Sequence, residues 1–132
     1  MAAVYVNNLV INSGSDFSET FDLENSTTNS QFNLTGYTAS AQMRKYAGSS
    51  TAISFTVSIN SPPSLGKITI SLTSNQTTNI KPGRYVYDVV IDYQGSKSRV
   101  VEGMVLVREG VTRWLLKLQI SMGVNNNGET IE

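Results

Sequence analysis

The chain has no cysteine and no histidine. Without cysteine there is no disulfide framework, no thiolate metal site and no cysteine nucleophile. Without histidine the commonest general base and the commonest transition-metal ligand are both missing. Charge is scarce as well: ten acidic and ten basic residues cancel, and only 15% of the chain is charged. That excludes the basic footprint of a nucleic-acid binder. No stretch approaches the roughly eighteen apolar residues that a membrane-spanning helix needs. The opening MAAVYVNNLVINSGSDF lacks a positive n-region, and Asn7, Asn8 and Asn12 interrupt it, so it does not read as a secretory signal. The expectation is a protein of the cell interior, or one assembled there, with no cofactor, no nucleic acid and no membrane among its partners.

What the chain has in quantity is polar and uncharged. Asn, Ser and Thr make up 42 of its 132 residues. Its 14.4 kDa suit one domain, which at this mass buries about two thirds of its unfolded surface and needs no staple. Three N-x-[ST] sequons, at Asn25, Asn33 and Asn75, are what so Ser- and Thr-rich a chain produces by chance.

The apolar period is two almost throughout, the pattern of half-buried strands. Val4 and Val6, then Leu9 and Ile11, predict a short edge strand. Phe17, Glu19, Phe21 and Leu23 predict a second, and residues 25–33 read as a polar loop. Ala39, Ala41 and Met43 alternate with polar neighbours, as do Ile53, Phe55, Val57 and Ile59. After a turn at Pro62–Gly66, Ile68, Ile70 and Leu72 return. Ser74 to Ile80 allow one helical turn with Ser74 as N-cap. Lys81-Pro82-Gly83 is a type II turn candidate with positive φ at Gly83. Tyr85, Tyr87, Val89, Ile91 and Tyr93 share one face of a long strand that pairs across Gln94-Gly95-Ser96 with residues 97–107. About seven strands at this spacing predict an all-β sandwich or barrel. The expected core is Phe17, Phe21, Ile53, Phe55, Val57, Ile68, Ile70, Tyr87, Val89, Ile91, Val105 and Val107.

Candidate reactive groups are few. Asp88 and Asp92 share a face but lie roughly 13 Å apart along a strand, beyond the roughly 5–10 Å that glycosidase carboxylates need. They read as solvated residues paired with Arg99 or Lys97. Glu102 lies in an apolar stretch, and Arg84 is its expected cross-strand partner. No G-x-S-x-G occurs and no histidine is present to activate a serine. Tyr85, Tyr87 and Tyr93 form an aromatic ladder, read first as packing and second as a sugar-stacking platform. No catalytic, cofactor-binding or metal-ligating residue emerges.

Three segments carry a resemblance: Leu34-Thr35-Gly36-Tyr37-Thr38-Ala39-Ser40-Ala41-Gln42-Met43-Arg44, then Gly66-Lys67-Ile68-Thr69-Ile70-Ser71-Leu72, then Pro82-Gly83-Arg84-Tyr85-Val86-Tyr87-Asp88-Val89. The last continues into Val101-Glu102-Gly103-Met104-Val105-Leu106-Val107 and Gly110-Val111-Thr112-Arg113. In this order, over roughly residues 14–113, they resemble the immunoglobulin-like β-sandwich domain of tailed-bacteriophage structural proteins, of the kind at the N-terminus of baseplate upper proteins. The resemblance implies an immunoglobulin-like antiparallel β-sandwich and a non-enzymatic virion component, assembled in the host cytoplasm. Such a component docks fibres or other virion proteins in the tail baseplate or neck. A capsid decoration protein and a carbohydrate-binding module are the alternatives.

The end of the chain reads differently. Residues 1–113 account for the sandwich, and residues 114–132 for a further strand and a polar tail. Leu116, Leu118, Ile120 and Met122 alternate with Lys117, Gln119 and Ser121, after Trp114. A strand placed after a closed sandwich either joins an edge of its own sheet or crosses to a neighbour. The Asn-rich tail favours an arm. Trp114, Leu116, Leu118, Ile120 and Met122 are therefore the expected subunit-interface residues of a homo-oligomer, a trimer or hexamer.

Overall fold

The computed structural model describes residues 4–111. These residues form nine strands: β1 (Tyr5–Val6), β2 (Leu9–Asn12), β3 (Phe17–Asp22), β4 (Thr38–Arg44), β5 (Ile53–Ser54), β6 (Thr56–Ile59), β7 (Lys67–Leu72), β8 (Gly83–Tyr93) and β9 (Ser96–Arg108). They build two sheets packed face to face, an all-β sandwich. The larger sheet runs from β1 and β2, which follow one another along β9, through β8 and β4 to β5. The smaller is β3-β7-β6.

Alternation explains most of this. β7 buries Ile68, Ile70 and Leu72 and turns Lys67, Thr69 and Ser71 away from the core. β8 does the same with Tyr87, Val89 and Ile91. Nine of the twelve expected core residues are buried, while Phe17, Ile53 and Val57 are partly buried against the cluster. The run expected as one strand from Ile53 to Ile59 is divided. Ile53 pairs with Met43 in the larger sheet, Phe55 donates its N–H to the Ala41 carbonyl at 3.0 Å, and Val57 pairs with Ile70 in the smaller. The chain changes sheets at Phe55, whose ring lies between Phe17 and Tyr87.

Pairing is antiparallel except at the N-terminal edge, where β1 and β2 run parallel to β9. Asn7 and Asn8 interrupt this edge. The Asn7 N–H donates to the Glu102 carbonyl at 2.9 Å, and the Asn8 side-chain carbonyl accepts the Met104 N–H at 3.0 Å, in place of a ladder bond.

Four local expectations need correction. Phe32, inside the segment read as a polar loop, is buried with Leu34; its N–H donates to the Leu23 carbonyl, and the Leu34 N–H donates to the Pro63 carbonyl. The helix is α1 (Ser74–Thr78), and its N-cap is Thr73, not Ser74. Thr73 and Gln76 form a reciprocal capping box, while the Ser74 N–H is taken by Asp16 at 2.7 Å. Buried Thr77 fastens this helix to the turn after β2, donating to the Ser15 carbonyl and accepting the Gly14 N–H. At the third site, Gly83 has φ +144°, positive as expected but far from the roughly +80° of a type II turn. It opens β8 opposite Val107. Gly83→Val should lower stability by about 1 kcal/mol or more through backbone strain. An unchanged urea midpoint would contradict that assignment. The fourth correction concerns the partner of Glu102 and is described with the outer face below.

Candidate functional site

A register shift between Val89 and Val90 adds one residue to β9. Val89 pairs with Val101 and Val90 with Arg99, so Val100 is the extra residue. Such a bulge re-aims side chains. Val100 and Val101 are both buried, and Arg99 and Glu102, three apart, reach the same outer face. In a regular strand they would point to opposite faces.

The consequence is a charged row on the outer face of the larger sheet. Gln42, Asp88, Glu102 and Val6 lie side by side across β4, β8, β9 and β1. Arg99 holds both carboxylates, with Nε 3.3 Å from Asp88 Oδ2 and Nη1 3.1 Å from Glu102 Oε1. Glu102 therefore pairs with Arg99 and not with Arg84, which stands opposite Leu106. Gln42, Asp88, Glu102 and Arg99 line an open depression of about 380 Å³ together with Arg44, Ala47 and Val86. A second depression, of about 280 Å³, shares Gln42 and Asp88 and extends over Ala39–Ala41 to Phe55 and Val57.

Asp92 lies on the same face but serves another purpose. Its carboxylate accepts from Lys97 Nζ at 2.9 Å and from the Gly95 N–H at 2.8 Å. The Lys97 hydrogen bond, then the Gly95 one, hold its pKa below the usual carboxylate range. Asp88 and Asp92 thus have separate partners, Arg99 and Lys97, as the sequence predicts. One guanidinium, that of Arg99, holds both half-exposed carboxylates of the bulge cluster.

The tyrosine ladder is buried at Tyr87, half-buried at Tyr85 and exposed at Tyr93. Tyr85 donates its O–H to the Lys81 carbonyl at 2.5 Å and has the Lys45 ammonium 4.8 Å from its ring centroid. Tyr87 is buried and donates to the Asn7 carbonyl at 2.6 Å. Tyr93 packs on Tyr37, ring centroids 5.0 Å apart. No flat platform of three exposed rings results. Burial, and secondarily the Glu19 carboxylate, push the Tyr87 phenol well above its ordinary value of 10.0. In the unfolded chain that phenol ionises near pH 10, whereas in the fold it stays protonated. Stability is therefore intact below about pH 10 and falls as the pH rises beyond it. Tyr87→Phe should flatten this alkaline decline, and an equally steep decline in the variant would contradict the stated cause. Tyr5 and Tyr85 are raised in the same direction by burial, so the decline should be reduced and not abolished.

Beside the charged row the outer face turns apolar. Met104 and Leu106 on β9 stand against Val86 and Arg84 of β8, with Val10 opposite Leu106 on the other side. Val6, Val10, Met104 and Leu106 are all exposed. This strip was not anticipated, because alternation in Val101–Val107 gives no sign of what covers the outer half. The predicted interface residues Trp114, Leu116, Leu118, Ile120 and Met122 lie outside the described residues, as does the proposed segment 114–132.

Among the described residues no group of three or more His, Cys, Asp or Glu side chains is placed to hold a metal ion. No helix among them is long and apolar enough to cross a membrane. No protein-family model matches the chain, and no curated protein matches it. Among solved structures, the Listeria monocytogenes protein InlP is similar at 16% identity and a TM-score of 0.46, over 79% of this chain and 26% of that one. The chain spans about a quarter of that protein's length.

Proposed function

We propose that the chain is a non-enzymatic structural subunit of a tailed-bacteriophage virion. It acts as an adaptor or attachment piece in the tail baseplate, neck or fibre-docking region, assembling with copies of itself and with other virion proteins. The resembling segments support this reading by where they fall. Leu34–Arg44 leads into and forms β4, Gly66–Leu72 forms β7, Pro82–Val89 opens β8, and Val101–Val107 belongs to β9. The resemblance thus draws on central strands of both sheets and not on one local hairpin.

The observation that carries the proposal is the outer face of the larger sheet. There a charged row fixed by Arg99 adjoins an exposed apolar strip on β2 and β9. An apolar strip rimmed by polar residues is the anatomy of an interaction surface. Mass spectrometry of tail-bearing particles from the encoding organism, followed by labelling of the subunit, tests it. The expected result is a stoichiometric component at the tail end. Label over the capsid would favour a decoration protein, and absence from particles would refute the virion role. Glycan-array binding by the isolated protein would favour a carbohydrate-binding module.

A further inference from the structure

We infer that the edge of β4 at Thr38–Ala41 is a strand-addition site for an extended segment of a partner protein. The segment is apolar where it faces inward, and polar and uncharged where it faces out. This surface is separate from the outer face described above, and the inference stands whether or not the chain belongs to a virion.

The site is left by the chain's change of sheet. β5 covers β4 only at Gln42 and Met43, and Phe55 adds one bond, from its N–H to the Ala41 carbonyl at 3.0 Å. Val57 then pairs with Ile70 in the smaller sheet. Main-chain polar groups alternate in direction along a strand, so those of Ala39 face the same side as those of Ala41 and Met43. β8 occupies the other side of β4 without a break from Thr38 to Arg44. Among the described residues no strand pairs with Ala39 on its open side. The Ala39 N–H and carbonyl and the Ala41 N–H thus stand outside the ladder.

The depression of about 280 Å³ marks the place. Ala39, Ala41, Phe55 and Val57 line it from between the sheets, and Ser40 and Gln42 from the outer face. A hollow lined from both faces is a notch in the edge. Residues 38–41 carry no lysine, no proline and no bulge, the features that commonly guard an edge. β3, by contrast, turns Glu19 inward opposite Ile70.

The unpaired groups choose the occupant. Main-chain donors and acceptors at the repeat of a strand are matched by another main chain, here in the track that β5 leaves. Its residue opposite Ala39 points inward toward Phe55 and Val57, which suits an apolar side chain. Its neighbours point outward beside Ser40 and Gln42. Asp88, the one ionisable residue lining the notch, is already held by Arg99, so nothing there calls for a charge.

Amide hydrogen exchange on the full chain, read by NMR, tests the site first without a ligand. Ala39 should exchange as an open amide, while Ser40 and Gln42, turned toward β8, are protected. Protection of Ala39 at every concentration would mean that the chain covers its own edge. Protection that appears only as concentration rises would mean that a second copy covers it. Either result overturns the inference. A randomised decapeptide library is then selected against the immobilised full chain. Selected peptides should alternate apolar and polar residues and protect Ala39 and Ala41. Failure to select any peptide, or protection of Val57 and Ile59 in their place, would overturn the site. Ala39→Pro deletes the open N–H at an edge position that tolerates proline. It should weaken the selected peptide by about tenfold or more and leave the circular dichroism of the fold unchanged. Should that variant unfold, N-methylation of alternate peptide residues takes its place. One alternate set should abolish binding and the other preserve it, and equal effects would contradict strand addition. Peptide binding by a chain absent from particles would fail only the virion role, and a particle component without this site would fail only this inference.

Discussion

Gly103→Ala is expected to destabilise the fold by about 3 kcal/mol or more, although it adds one methyl group and removes none. Gly103 faces inward on β9 opposite Tyr87. A β-carbon there would lie 2.2 Å from the Asn7 carbonyl oxygen and 2.8 Å from its carbon. Those atoms are main chain, so no rotamer change relieves the clash. The edge formed by β1 and β2 would have to lift off β9. That movement loses the Asn7 N–H bond to Glu102, the Met104 N–H bond to Asn8 and the Tyr87 O–H bond to Asn7. Gly95→Ala is the control. Gly95 has φ +91° with nothing within 4 Å of an added β-carbon, so its loss is conformational only and about 1 kcal/mol. Thermal melting should separate the two variants clearly, with Gly103→Ala lower by about 10 °C or more than the parent. A melting point within a few degrees of the parent would place β1 and β2 elsewhere.

Ile70→Ala should destabilise the domain by about 2–5 kcal/mol through the cavity it leaves. Ile70 is fully buried at the centre of β7, with Glu19 of β3 on one side and Val57 of β6 on the other. The smaller sheet has three strands, and β7 is the only one paired on both sides. A cavity there is walled by ladder on both flanks and collapses poorly. Against a total stability of about 5–15 kcal/mol for a domain of this kind, the loss is a large fraction. The denaturant midpoint should fall with the slope unchanged. Val57→Ala, on the edge strand and only partly buried, should lose less. Equal midpoints for the two variants would contradict the stated core.

The strands were legible because alternation depends only on neighbours along the chain. The inward row Tyr87, Val89 and Ile91 and the pairing of Lys97 with Asp92 across the Gly95 turn could both be read from spacing. The partner of Glu102 could not. One inserted residue at Val100 moves Arg99 to its side, and an apolar run such as Val100-Val101 looks the same with or without a bulge. Phe32 was hidden by its polar neighbours, since its burial comes from Leu23 and the turn at Pro63–Gly66, distant in sequence. The contact of Asn8 with Met104 spans 96 residues. No local pattern announces it, which is why the special role of Gly103 emerges only from the fold. The apolar strip was obscured likewise, because only the parallel register of β2 on β9 sets Val10 beside Leu106.

We propose that the sandwich folds without the segment that follows it and that copies of the chain assemble through that segment. Sedimentation of residues 1–113 beside the full chain, with a denaturant curve for each, tests this most directly. The full chain is expected to sediment as a trimer or hexamer, and the shortened chain as a monomer that unfolds in one cooperative transition. A shortened chain that shows no cooperative unfolding, or that sediments as the same oligomer, would contradict it.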